Sequence, residues 1–317
     1  MTAHASADTP VLFLVFNRPD TTARVFEAIR AARPTRLFLA ADGPRSDRPG
    51  EAERCQQARQ IAMAVDWPCE TRTLLREANL GCRGAVSSSI DWFFDQVEEG
   101  IVLEDDCVPD PSFFAYCSDL LARYRDDTRV MSISGDNFIG EHWRPTESYY
   151  FSAFTHIWGW ASWRRAWAHY DVTMSDWPSQ RDAGLLQRLF PAARHARAHW
   201  AVVFDRVARG EIDTWDYQWA YAAWKQGGVN CMPAVNLISN IGFGNNATHT
   251  HDAEAQLANL PRQSLAFPLR HPTAVAAHTE ADAWTSEHVF GIDESALQLD
   301  RLRRSVGSYL KRAWHAV

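Results

Sequence analysis

The chain lacks an excess of positive charge: 32 Lys and Arg stand against 39 Asp and Glu, a net charge of −7 at pH 7. That sign is wrong for phosphate-driven affinity, so no nucleic-acid partner is expected. It also lacks CxxC pairs. Its cysteines, Cys55, Cys69, Cys82, Cys107, Cys117 and Cys231, are scattered. This spacing points to free thiols in a reducing compartment, not to a disulfide framework. Long apolar runs are missing too. The longest, Val11–Phe16, is far too short to span a bilayer. Met1–Pro10 has no basic start followed by an apolar stretch, so no secretory signal is read and a cytoplasmic protein is expected. No internal repeat, low-complexity tract or clear linker interrupts the 317 residues. Hydrophobic residues make up 46% and charged residues 22%, which excludes wholesale disorder and leaves room for a large core. Tryptophan is abundant, with 14 copies, and core packing is the ordinary use of each.

What is present is alternation. Val11–Phe16 reads as a strand buried on both faces, ended by Asn17-Arg18-Pro19-Asp20. Pro19 and Asp20 suit a helix start, and Val25, Phe26 and Ile29 recur at helical spacing. Leu37–Ala41 is a second buried strand, ended by Asp42-Gly43-Pro44. A helix near Cys55–Val65, a strand at Thr71–Leu75, a helix at Ala85–Val97 and a strand at Gly100–Leu103 follow. Such alternation predicts an α/β protein with a mainly parallel central sheet flanked by helices. In open α/β sheets ligands bind beyond the carboxyl ends of the strands. Three strands here end in polar residues suited to a ligand: Asn17-Arg18, Asp42-Gly43 and Glu104-Asp105-Asp106. Further on, Phe113–Tyr124 reads as a helix and Val130–Ser134 as a strand. Tyr149–Trp177 is dense in aromatics. Ala183–Gly210 and Trp215–Lys225 read as helical, and Asn236–Ile241 as a strand. Asn245–Gln263 is polar and reads as a long loop, a candidate lid. The expected organisation is one catalytic domain over 1–295, with a nucleotide-binding half (10–110) and an acceptor half with the lid (111–295). A C-terminal amphipathic helix over 296–317 completes it.

Glu104-Asp105-Asp106 puts three carboxylates side by side at a strand end. They repel one another unless solvent or a cation relieves them. A solvated turn is the plain reading. Hard carboxylate oxygens also suit Mg²⁺ or Mn²⁺, ions that bind phosphate oxygens as well. A nucleotide diphosphate at this edge is the concrete expectation.

At these residues the chain resembles a glycosyltransferase of the GT-A fold. Ile101–Phe114, with the acidic triplet inside it, is similar to the metal-binding stretch of the N-acetylglucosaminyltransferase I family. Asn17-Arg18, Asp42-Gly43, Gly159-Trp160, Trp215-Asp216 and Gly242-Phe243-Gly244 follow the same order as in that family. The chain also resembles bacterial hemolytic-protein-like proteins, which are family-2-like sugar transferases by fold. The resemblance covers roughly residues 10–250. It implies a GT-A fold and a metal-dependent, inverting transfer of a sugar from a nucleotide diphosphate, with UDP as the expected carrier. It implies Asp106 as the metal ligand, Asp105 or Glu104 on the ribose or sugar, and Arg18 and Asp42 at the nucleobase. Where the family has a base-contacting His, this chain has Ser88 and Ser89. The base therefore stays open.

Inverting transfer needs a general base within reach of the acceptor hydroxyl. Asp216 is the candidate and Asp213 the reserve; an ordinary helix cap is the alternative for either. Trp158, Gly159 and Trp160 are candidates for a sugar-stacking pocket, with core packing as the alternative. Asp136 and Asn137, after a strand, are candidates for donor-sugar hydroxyls. His249, in the loop that also carries His251, is a candidate for the metal or diphosphate. Arg18, Arg76 and Arg83 flank the nucleotide edge and suit phosphate. The loop Asn79–Gly84 is not a P-loop, since no Gly-Lys-Ser/Thr follows.

The partners expected are a nucleotide-sugar donor and a hydroxyl acceptor on a glycan, lipid-linked molecule or peptide. Surface glycan or glycoconjugate synthesis is the expected setting. The C-terminal pattern of Leu299, Leu302, Val306, Leu310 and Trp314 among Arg and Lys reads first as a packed helix. The alternative is peripheral contact with an anionic membrane at its inner face. Two rival functions remain in view. A sugar nucleotidyltransferase would carry a Gly-rich basic loop after the first strand, where Asn17-Arg18-Pro19-Asp20 stands instead. A non-enzymatic carbohydrate-binding protein has no use for a carboxylate triplet at a strand end.

Overall fold

The structure is a computed structural model and describes residues 8–243 and 257–293. The first apolar run forms β1 (Val11–Val15), buried along its length. α1 (Pro19–Ala32) follows, with Pro19 at its start and Val25, Phe26 and Ile29 on its buried face. Proline is favoured there because the first helical amides have no intrahelical partner. β2 (Arg36–Ala41), α2 (Glu51–Ala62), β3 (Glu70–Leu75), α3 (Gly81–Phe94) and β4 (Glu99–Glu104) continue the alternation. β2 and β4 are largely buried, whereas β3, at the sheet's end, is mostly exposed.

β5 (Cys107–Pro109), α4 (Pro111–Tyr124) and β6 (Val130–Ser134) come next. The Asp110 carboxylate caps α4, accepting from the Ser112 amide at 2.9 Å. The aromatic stretch holds β7 (Tyr149–Ser152), β8 (Trp160–Trp163) and the short α5 (Arg164–Trp167). The remaining elements are α6 (Trp177–Asp182), α7 (Leu185–Leu189), α8 (Arg194–Ala208), α9 (Asp216–Lys225), β9 (Val229–Pro233), β10 (Ile238–Asn240) and α10 (Thr279–His288).

Eight strands form one sheet in the order β3-β2-β1-β4-β8-β6-β9-β7, and β5 pairs with β10 in a separate ribbon. β1 to β4 run parallel, and β6 and β9 share their direction. β8 and β7 run against their neighbours. The expected α/β class and mainly parallel sheet are observed. The antiparallel strands were not legible in sequence. Every residue of β7 and β8 is buried, so no in-out alternation marks them. The expected helical stretch 183–210 is broken between α7 and α8, around Pro191, whose ring cannot continue a helix.

The main core lies on the sheet, and a second, aromatic core lies among α6, α8 and α9. Trp160, Trp163, Trp177, Trp200, Trp219 and Trp224 are among the most completely buried side chains. Among the described residues no helix is long and apolar enough to cross a membrane. The expected helix over 296–317 lies outside the described residues, as does most of the expected lid.

Candidate functional site

The register of the parallel strands decides where the polar strand ends go. β1 lies between β2 and β4, with Val11 opposite Leu37 on one side and Ile101 on the other. Asn17-Arg18, Asp42-Gly43 and Glu104-Asp105-Asp106 therefore emerge at one edge. Arg18 bridges two acids there. Its Nη2 meets Asp105 Oδ1 at 2.5 Å and its Nη1 meets Asp106 Oδ2 at 2.8 Å. Asp105 Oδ2 also accepts from the Phe16 amide at 3.0 Å. Burial opposes the charge on Arg18, but Asp105 and Asp106 outweigh it and raise its pKa above the usual arginine value.

Glu104 sits beside this pair. Among the described residues its enclosed Oε1 takes no hydrogen bond. Burial, then the nearby charge of Asp106, pushes its carboxyl up to about 8. Burial raises Asp105 as well, against the pull of Arg18. One guanidinium thus faces three carboxylates, and one acidic oxygen lacks a donor. An all-oxygen set with an orphaned oxygen is the chemistry that a hard divalent cation takes. Among the described residues no three or more His, Cys, Asp or Glu are grouped to hold a metal ion. Such an ion would need oxygens from a ligand or water to complete its shell. His249 lies outside the described residues.

Asp106 is cradled by the short ribbon. β10 pairs antiparallel with β5, setting Asn240 opposite Cys107. The Ile241 amide then donates to the Asp106 carbonyl at 2.8 Å. The Gly242 amide donates to Asn240 Oδ1, also at 2.8 Å. A Cβ on Gly242 would stand 1.9 Å from Asp106 Oδ2 and 2.8 Å from Arg18 Nη1.

The remaining residues expected at the nucleotide edge are largely engaged in holding loops. The Asn17 side chain donates to Glu51 Oε1 at 2.8 Å. Glu51, completely buried at the start of α2, also receives the Arg45 guanidinium. Asp42 grips the loop before α3. It accepts from the amides of Gly43 and Leu80 and from the Asn79 side chain. Burial raises its carboxyl nonetheless. A Cβ on Gly43 would fall 2.4 Å from the Ala78 carbonyl carbon, so backbone packing alone requires a glycine there. Arg83 gives its amide to Asp213, and its guanidinium makes no ion pair among the described residues. The Arg76 guanidinium meets the hydroxyls of Ser89 and Ser88 at 3.1 and 2.7 Å.

The two candidate bases separate clearly. Asp213 accepts from the Cys82 and Arg83 amides, each at 3.2 Å. It caps α3 from far along the chain, with both oxygens accepting a backbone amide. Asp216 is the first residue of α9, inside the helix instead of at its cap position. One of its oxygens accepts from the Thr214 hydroxyl. It lines a small cleft together with Phe154, Trp200, Tyr217, Trp224 and Phe290. Its charge acts on Glu104. Cys82 lies among these groups. Burial first, then Glu104, Asp216, Asp213 and Asp42, push its thiol pKa up. The acids of the strand edge and Asp216 of α9 are thus near enough for their charges to act on Glu104 and Cys82.

The donor-pocket candidates behave differently. Trp160 is 1% exposed and stacks on Trp215 with ring centroids 5.7 Å apart, so it is core. Gly159 adopts φ +75°, and a Cβ there would be 2.6 Å from Ile238 Cδ1; its smallness serves core packing, not approach to a ligand. Asn137 is spent on the Pro233 carbonyl and on the Gly140 and Asn236 contacts. Asp136 is completely buried and accepts from the Trp158 amide at 3.0 Å, and among the described residues its Oδ1 has no partner. Burial raises its carboxyl well above the usual range. Trp158 keeps partial exposure beside Phe138 and Phe243, so of this group its ring is the one open to stacking. Sequence reasoning missed Glu51. A lone Glu near a helix start looks like an ordinary first-turn acid. No protein-family model matches the chain, and no curated protein matches it.

Proposed function

We propose that the chain is a metal-dependent inverting glycosyltransferase of GT-A type. It would move a sugar from a nucleotide-diphosphate donor, with UDP as the first candidate, to a hydroxyl acceptor. The observation that carries this reading is the strand edge at which Arg18 bridges Asp105 and Asp106 beside the enclosed Oε1 of Glu104, with the charge of Asp216 reaching Glu104 from α9. Asp106 and Glu104 would hold the Mn²⁺ or Mg²⁺ ion, which when bound neutralises charge on the departing diphosphate. Arg18 holds Asp105 and Asp106 in place and keeps them from drifting apart under their mutual repulsion. Asp216 takes the proton of the acceptor hydroxyl. The acceptor oxygen forms its bond to the anomeric carbon as the bond from that carbon to the diphosphate oxygen breaks. The nucleoside diphosphate leaves with the electron pair, and the anomeric centre inverts.

A thermal-shift panel of UDP- and GDP-sugars, each with Mn²⁺, Mg²⁺ or chelator, tests this. The expected result is a metal-dependent rise in midpoint with one donor, lost in Asp106→Ala. Asp216→Asn keeps that shift and loses transfer steeply. No shift with any nucleotide overturns the transferase and favours a carbohydrate-binding protein. Pyrophosphate release from a nucleoside triphosphate and a sugar phosphate favours a nucleotidyltransferase.

A further inference from the structure

We propose that Asp213 and Thr214 are positioning residues that tie the placement of Asp216 to the donor edge of the sheet. The inference rests on the reading of Asp216 as the base.

The backbone amides entering α3 are each taken by a side chain. Leu80 donates to Asp42, Gly81 to Asn79, and Cys82 and Arg83 to Asp213. Two acids from distant parts of the chain thus share one helix entry. Asp42 comes from the carboxyl end of β2; Asp213 comes from the segment that leads into α9. Gly81 makes the approach possible. It adopts φ +75°, and a Cβ there would lie 2.9 Å from Asp213 Oδ2. An L side chain would be strained in that conformation and would press on the carboxylate.

Thr214 carries the connection to Asp216. Its hydroxyl donates to Asp216 Oδ1, and its carbonyl accepts from the Gln218 side chain at 2.7 Å within α9. Thr214 itself is 9% exposed and Gln218 is completely buried, so this corner is packed. Among the described residues Asp216 Oδ2 takes no hydrogen bond. The arrangement orients one oxygen by a fixed donor and leaves the other for an acceptor. A continuous set of bonds therefore runs from Asp42 through the loop 79–83 to Asp213, and on to Thr214 and Asp216. An error in base placement of about 1 Å can cost about 100-fold in rate, so such a tether has a kinetic consequence that a plain helix cap lacks.

The test measures hydrolytic nucleoside-diphosphate release from UDP-glucose, UDP-N-acetylglucosamine and GDP-mannose with Mn²⁺, using the full chain and water as the acceptor that takes the sugar and gives its proton to Asp216. Asp213→Ala and Thr214→Val should each lower kcat about tenfold or more, with the donor KM changed less than about twofold. Thr214→Ser, which keeps the hydroxyl, should restore most of the rate. Asp213→Asn, which keeps one accepting oxygen, should fall between wild type and Asp213→Ala and guards against a fold lost in the alanine variant. In an Asp216→Asn background none of these substitutions should lower the rate further, because they act through that carboxylate. Full additional losses in that background overturn the inference. So do parallel changes in kcat, KM and melting midpoint, which mark a merely structural cap. Both outcomes leave the transferase reading standing. No release by the wild-type chain overturns that reading and this inference with it.

Discussion

Gly242 lies directly against the carboxylate of Asp106: a single added carbon would stand 1.9 Å from Oδ2. The contact is made by a segment far later in the chain, brought there by the β5–β10 ribbon. No side chain can occupy that space without moving Asp106 or Arg18.

Gly242→Ala should therefore displace the Asp106–Arg18 pair. Overpacking of this kind costs about 1–3 kcal/mol. The midpoint should fall modestly, and the metal-dependent donor shift should drop out. A variant with the wild-type donor shift would show that the pair can move without consequence.

Glu51 predicts an acid response. Hydrogen bonds from the Arg45 side chain lead the causes that hold its carboxyl at about 2, below its ordinary 4.5. The unfolded chain binds this proton more readily than the folded one. Its stabilising contribution is complete above about pH 4.5 and is lost as pH falls toward about 2. Arg45 is partly exposed to solvent, so Glu51→Gln should cost about 1–2 kcal/mol at neutral pH. Acid unfolding followed by circular dichroism should be less steep in the variant between about pH 5 and 2. An unchanged acid profile would remove Glu51 from the account.

Trp160→Phe should lower stability by about 1–3 kcal/mol through lost packing on Trp215, Trp219 and Trp167. The loss is softened because the indole N–H it removes has no partner among the described residues. The donor-induced midpoint shift should survive. Loss of that shift at unchanged stability would return Trp160 to the binding pocket.

Gly84→Ala offers a gain. Gly84 lies within α3 without a positive φ, and its Cβ would meet Leu80 Cβ at 3.5 Å, an ordinary contact. Alanine narrows the unfolded ensemble and suits a helix, so about 0.5–1 kcal/mol of stabilisation is expected in chemical denaturation. A destabilised variant would mean that α3 has no room beside Leu80.

Much of the first four strands and their helices was legible because the signals there are local. Val11–Val15 is apolar at every position, as a strand covered on both faces must be. The turn residues after β1, β2 and β4 follow directly from where those runs stop. The antiparallel half was harder. β8 is Trp-Ala-Ser-Trp, buried throughout, and a short buried run has no period to read. The motif Trp158–Trp160 shows the same limit, since core and sugar platform both call for tryptophan.

By itself the sequence determined the alternation of strands and helices, and with it the edge at which Arg18, Asp42 and the acidic triplet emerge. Periodicity and strand ends are set by neighbouring residues, so they can be read in order. Only the tertiary structure decided what each polar side chain is used for. Asp213 caps α3 across a separation of 131 residues, Gly242 closes on Asp106, and Asp216 is left facing the aromatic cleft. Such pairings arise from how the ribbon and α9 pack onto the sheet. Asp213 and Asp216, three residues apart and chemically alike, have different surroundings because one meets two backbone amides and the other meets the Thr214 hydroxyl and an aromatic cleft.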